Sequence, residues 1–282
     1  CDARRDFGGI RLWGTVGWLV IAWLFGYLWV GGGTGQERMP HALLFSGGAS
    51  FLLAVFSLIF IPPSEAKRDR VITDYGAVLR IFMKPEMLLL CLLTLLTSAC
   101  HQFYYYGMSP YLSQIGVADR FIMPTMSLGQ ASEAIVLGVM GWCLFYLRIK
   151  TAMVLGVLAQ GMRLLVFAFF PQIASVLGGI GLHGICYAFF FTTGYLYVER
   201  HSTRTTRAGA QQILTIMISG LGVLLGSWSA GWTAQIFSDA GSGHVDFRMF
   251  WLVPAVLCIF ITLALVAGFH ERPASEPERE DV

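Results

Sequence analysis

Residues 121–145 read FIMPTMSLGQASEAIVLGVMGWCLF, a mostly apolar run long enough to cross a bilayer as one helix. A single acid, Glu133, interrupts its middle. An ionisable side chain at bilayer depth costs roughly 2.5–3.5 kcal/mol even on insertion scales, so Glu133 is expected to face a cavity or an ion route rather than lipid.

The rest of the chain has the same character. Of 282 residues, 56% are hydrophobic and 13% charged, and the mean hydropathy is +0.65, well outside what a water-soluble domain carries. Loop signals divide the apolar runs into eight spanning candidates, at 12–31, 41–62, 86–107, 121–146, 151–170, 173–197, 208–237 and 248–269. Each is near the ~20 residues that a ~30 Å hydrocarbon core requires. The expected fold is therefore an all-α polytopic membrane protein.

Of the 19 Lys and Arg residues, Arg38, Arg120 and Arg248 fall on one side of these spans and Arg163 inside one, while the others share the opposite side. Basic loops stay cytoplasmic, so both ends of the chain are expected there. The net charge of +2 then reflects topology, and no nucleic-acid partner is expected. Asp2, Arg4, Arg5 and Asp6 precede the first apolar run, which is not a signal-peptide pattern, and the chain reads as a piece or processed form of a longer one.

Five of the six cysteines lie within spans, where they serve as small apolar packing residues, and no metal-ligand or disulfide spacing occurs. No cofactor and no metal are expected. The chain has no phosphate-binding Gly-x-x-x-x-Gly-Lys-Ser/Thr loop, and its spans carry no paired Asp–Asp, His-Glu-x-x-His or Gly-x-Ser-x-Gly. Neither nucleotide-driven transport nor an enzyme is the expectation; an ion gradient would supply the energy.

The longest polar connection runs from about Pro62 to Lys84, with two spans before it and six after. Many secondary transporters join two six-helix halves across such a loop and hold substrate between them at mid-membrane. The expected organisation is the end of an N-terminal bundle over 1–62, a cytoplasmic inter-bundle loop over 63–84, a C-terminal six-helix bundle over 85–270, and a disordered cytoplasmic tail over 271–282.

Four stretches sharpen this reading: DFGGIRLWGTVGW at 6–18, MSLGQASE at 126–133, GLHGICYAFFF at 181–191 and RAGAQQ at 207–212. Together they resemble the nucleoside:proton symporter family, a branch of the major facilitator superfamily related to lactose permease. The resemblance implies a 12-helix fold in which residues 1–62 are the fifth and sixth helices, the first four being absent. It also implies a substrate-site arginine at Arg11, a membrane acid at Glu133, and nucleoside-binding amides in the third segment, where Gln102 keeps the amide and Tyr105 replaces the second one.

The residues themselves support specific roles. Arg11, Thr15 and Trp18 share one helix face, so a donor fork and an aromatic plate look the same way, as a hydroxyl-rich ring would require. The plainer alternative is an arginine snorkelling to the interface beside a lipid-facing Trp. Thr94, Ser98, His101, Gln102 and Tyr105 form a polar stripe, within which His101 is either a packing histidine or a site residue.

Glu133, Arg163 and His183 are each expected ~13–18 Å from a membrane face, at depths where they could meet near the midplane. Tyr187 and Phe191 continue the His183 face. Sugar permeases related to the family carry an acid three residues beyond the corresponding histidine; this chain has Cys186, so their full relay does not transfer. In the seventh segment, Gly222-x-x-x-Gly226 is a small-residue pattern suited to close helix crossing.

The expected function is proton-coupled symport of nucleosides across the cytoplasmic (inner) membrane by alternating access. Proton coupling is assigned to Glu133, His183 and Arg163. Substrate binding is assigned to Arg11, Thr15, Trp18, Gln102, Tyr105, Glu133, Tyr187 and Phe191. The expected partners are a nucleoside-like solute, protons and the lipid bilayer around a monomer. A proton-coupled sugar or oligosaccharide permease, or a non-transporting sensor on the same scaffold, are the alternatives.

Overall fold

The computed structural model describes residues 16, 17, 19–25, 27, 35–61, 74–239, 241 and 243–271. Seven helices among these are long and apolar enough to span a membrane, which makes this a multi-pass membrane protein. In chain order the helices are α1 (Gly35–Phe60), the short α2 (Tyr75–Phe82), α3 (Pro85–Gln114), α4 (Asp119–Tyr146), α5 (Ile149–Phe169), α6 (Ile173–Arg200), α7 (Arg207–Ile236) and α8 (Phe247–Gly268). The first expected span, 12–31, lies partly outside the described residues. Its described part meets α4, where the Trp23 indole donates to Ser127 Oγ at 3.0 Å and Tyr27 packs edge-on against Phe121.

Within the 63–84 connection, Tyr75–Phe82 forms the short helix α2. The Asp74 carboxylate caps the first turn by accepting from Ala77 N at 2.9 Å, and Val78 and Phe82, one turn apart, are both buried. Capping and two docked side chains are what so short a helix needs, since eight residues do not hold a helix in isolation.

Helix ends follow local chemistry elsewhere. Pro85 occupies the first turn of α3, where its missing N–H is no loss, and Gly116 takes a φ of 92° just past its end. Asp246 starts α8 by accepting from Arg248 N and Met249 N.

α3, α5 and α8 make the centre of the bundle. Their shared core is aromatic: Tyr111, Phe167, Phe247, Phe250 and Trp251 are buried and in mutual ring contact, and the Tyr111 hydroxyl donates to Phe167 O at 2.8 Å. Glycine seams bring the outer helices onto this core. A Cβ on Gly226 of α7 would sit 2.6 Å from Gln102 Cβ and 2.7 Å from Ala99 O of α3, and one on Gly156 of α5 would sit 2.7 Å from Phe190 N of α6. The Gly222 and Gly226 spacing therefore does bring two backbones together.

α6 and α7 are not regular. Each carries a π-helical stretch, Tyr187–Thr192 and Ile216–Gly222 respectively. The wider turn alters which carbonyls are bonded within the helix. In α7 the Ile218 carbonyl accepts from Ser98 Oγ of α3 at 2.6 Å. Such irregular turns are common where helices serve a site.

From His41 to Phe60 α1 is largely apolar, and its described side chains are largely exposed, as at Leu43, Phe51 and Leu58. A helix of this kind is suited to lipid or further helices around it.

The Gly226 seam yields a stability test. Gly226→Ala pushes a methyl group into the α3 backbone, and overpacking of this sort costs about 1–3 kcal/mol. Thermal unfolding in detergent should show a lowered Tm for Gly226→Ala, while Gly138→Ala, at a position with open space, leaves Tm unchanged or slightly raised.

Candidate functional site

Four helices converge on one guanidinium. Arg163 of α5 is fully buried. Its Nη1 lies 2.8 Å from His183 Nδ1 of α6, its Nη2 lies 3.2 Å from His101 Nδ1 of α3, and its Cζ sits 4.6 Å over the Tyr104 ring. The fourth helix, α4, brings Glu133, whose Oε2 is 3.8 Å from His183 Nε2.

Donor rules orient this chain. Guanidinium has no acceptor, so Arg163 donates and His183 Nδ1 accepts. Neutral His183 then carries its hydrogen on Nε2, the nitrogen that faces Glu133. At 3.8 Å the pair is too long for a hydrogen bond, though a small rotation or a bridging water closes such a gap.

The charge arrangement is unusual for a buried arginine. Among the described residues Arg163 has no carboxylate at ion-pair distance, and its nearest acid is reached through an imidazole. Cation–π contact with Tyr104 and two charge-assisted hydrogen bonds offset part of the desolvation. Several buried polar atoms around it have no hydrogen-bond partner among the described residues: His101 Nε2, Tyr104 Oη, Gln160 Nε2, Arg163 Nε and His183 Nε2. Clustered orphans of this kind mark a place for internal water.

Aromatic rings wall the cluster. Tyr187 stacks on His183 with ring centroids 6.5 Å apart at 10°, and Tyr105 lies edge-on to both His101 and His183. The Tyr105 hydroxyl accepts from Gln130 Nε2 at 3.3 Å and the side chain is 40% exposed. Glu133, with 19% of its side chain exposed, therefore has the histidine–arginine chain behind it and a more open face in front.

Backbone packing sets this geometry. Gly184 lets α6 approach α4 so closely that its N–H donates to Ser132 Oγ at 2.9 Å, beside Glu133. Gly129, one helical turn earlier, faces the His183 ring. The motif glycines thus decide how near histidine and acid come.

The sequence-derived candidates fall into three groups. Glu133, Arg163 and His183 are brought together, with Tyr105 and Tyr187 beside them. Gln102 is half-buried and packs its Cβ toward Gly226, while Phe191 is buried against His101, Tyr187 and Phe190. Arg11, Thr15 and Trp18 lie outside the described residues. The structure also draws in Gln160 and Gln130, neither of which the sequence reading had assigned. Both sit one turn before a key residue, Arg163 and Glu133, and that spacing was the available signal.

A family model described as nucleoside H+ symporter matches residues 1–274. YegT of Escherichia coli (strain K12) is 29% identical over 96% of this chain and 66% of its own length. Xanthosine permease of the same organism is 26% identical over 95% and 66%, and nucleoside permease NupG is 24% identical over 98% and 68%. The chain thus spans 66% of the length of the first two relatives. The crystal structure of nucleoside transporter NupG superposes with a TM-score of 0.74 at 22% identity, covering 96% of this chain and 69% of that one, a likeness of fold.

The lone buried guanidinium yields a second test. Removing a buried charge costs most when it strands a directly paired opposite charge, and Arg163 has no carboxylate at ion-pair distance among the described residues. Arg163→Met is expected to keep a Tm within about 2 °C of the parent by thermal unfolding in detergent, on the order of 1 kcal/mol for a chain of this size. A large drop would show that Arg163 holds the bundle together.

Proposed function

The chain belongs to the nucleoside H+ symporter family, and we propose that it forms part of a proton-coupled nucleoside symporter working by alternating access. The observation carrying this reading is the Glu133–His183–Arg163 chain, a titratable acid linked through one imidazole to a buried cation. In this reading residues 1–62 end one helical bundle, 63–84 connect it to the bundle of 85–270, and both chain ends and the 271–282 tail are cytoplasmic in the inner membrane.

Nucleoside is held between the two bundles. Arg11, Thr15 and Trp18 face it from one side. Gln102, Tyr105, Glu133, Tyr187 and Phe191 belong to the other, where amide and hydroxyl groups meet the polar edges and rings meet the base. The exposed faces of Tyr105 and Tyr187 are the surfaces best placed to stack on a planar ring.

Glu133 carries the coupling. As a carboxylate it attracts His183 Nε2–H and the Arg163 charge behind it. Once protonated it becomes a donor to a substrate hydroxyl and releases that attraction. Substrate and proton therefore favour the same packing of the bundles, and each strengthens the other's binding. The π turns in α6 and α7 lie beside this centre, where an irregular helix absorbs movement at little cost.

The test uses the full-length protein in proteoliposomes. Glu133→Gln removes the titratable group but keeps a polar side chain, so nucleoside accumulation driven by an imposed pH gradient should fall by more than about fivefold, the lower end of typical site-to-site coupling. Nucleoside exchange without a gradient should persist. Gradient-driven accumulation at the parent level would sink the mechanism, and competition by sugars rather than nucleosides would redirect it to a sugar permease.

A further inference from the structure

His101 is the member of the central cluster without an assigned task. It is 7% exposed and lies between Arg163 and the aromatic wall. Its Nδ1 is 3.1 Å from Gln160 Oε1 and 3.2 Å from Arg163 Nη2. One ring nitrogen offers one hydrogen or one lone pair, so it cannot satisfy both neighbours.

The two choices are opposite in consequence. With a lone pair on Nδ1, His101 accepts from Arg163 and holds the guanidinium, while the Gln160 oxygen faces another acceptor. With a hydrogen on Nδ1, His101 donates to Gln160 and confronts the Arg163 N–H with a second donor. Turning the Gln160 amide over does not remove the conflict, because Gln160 Nε2 and Arg163 Nη2 would then compete for one lone pair.

We propose that His101 is a second proton site, whose protonation moves its hydrogen bond from Arg163 to Gln160 and frees the guanidinium toward His183 and Glu133. This rests on the proton coupling proposed above. Protonated His101 repels Arg163, its nearest charge, and the vacated Nη2 is adjacent to the Nη1 already bonded to His183. The proton comes from and returns to solvent as the co-transported ion does, so no further reactant is required.

Surrounding groups from each packed helix fit this assignment. Arg163 and Gln160 come from α5, His183 and Tyr187 from α6, and Tyr104 and Tyr105 from α3 itself. Glu133 of α4 is reached through His183. From α7, Gly222 packs on Ser98 and Gly226 on Ala99 and Gln102, and from α8, Pro254 O accepts from Cys100 Sγ. The charge nearest a proton on His101 is therefore the like charge of Arg163, which it pushes away, and the nearest carboxylate, Glu133, lies beyond His183.

Full-length protein in proteoliposomes separates the possibilities. His101→Asn keeps a neutral polar group near Nδ1 that cannot titrate, and Gln160→Leu removes the acceptor. Both should lower pH-gradient-driven nucleoside accumulation by more than about fivefold and flatten its pH profile, while gradient-free exchange persists. Gln160→Glu, which keeps an acceptor, should retain accumulation. Parent-like accumulation and pH profile in His101→Asn would overturn the proposal. So would equal loss of exchange and accumulation in both variants, which marks a packing role, or a Gln160→Glu variant as impaired as Gln160→Leu. Parent protein that accumulates nucleoside with no dependence on the pH gradient would instead remove the symport reading itself.

Discussion

A fully buried arginine constrains the whole bundle. Arg163 cannot lose its charge, and hydrocarbon cannot solvate it, so the surrounding helices must supply acceptors from several directions at once. They do so with neutral imidazoles from α3 and α6 and a tyrosine face, leaving the carboxylate of α4 one residue removed. An arginine ion-paired directly to Glu133 would be a more static arrangement. Placing histidine between them makes the strength of the link depend on where hydrogens sit, and those positions change with protonation.

Such a centre needs helices closer together than ordinary side chains allow. Gly184 against the Ser132–Glu133 backbone, Gly129 against the His183 ring and Gly156 against Phe190 provide that approach. Lipid offers no hydrophobic drive between helices, so tight van der Waals contact and interhelical hydrogen bonds such as Ser98 to Ile218 O carry the association. The π turns of α6 and α7 include two of these close contacts, Phe190 against Gly156 and Gly222 against Ser98.

Different parts of the chain were legible in sequence to different degrees. Spans were visible because length and hydropathy alone define them, and the family was visible in motifs such as MSLGQASE and GLHGICYAFFF. Helix α2 was hidden inside a polar, charged connection, since its stability comes from the Asp74 cap and from docking of Val78 and Phe82 rather than from its own composition. Gln160 was hidden for a related reason. A lone amide in an apolar helix has no meaning until its neighbour across the interface is known, and that neighbour, His101, lies 59 residues away.

By itself the sequence determined that this chain lives in a bilayer and roughly which segments are long and apolar enough to span it, because transfer free energy and helical rise act on each segment independently. Only the tertiary structure decided which nitrogen of His183 faces Glu133, that Arg163 and Gln160 contend for His101 Nδ1, and how closely α4 and α6 approach. Those outcomes depend on helix rotation and separation set jointly by glycine seams on several helices, and no single segment carries that information.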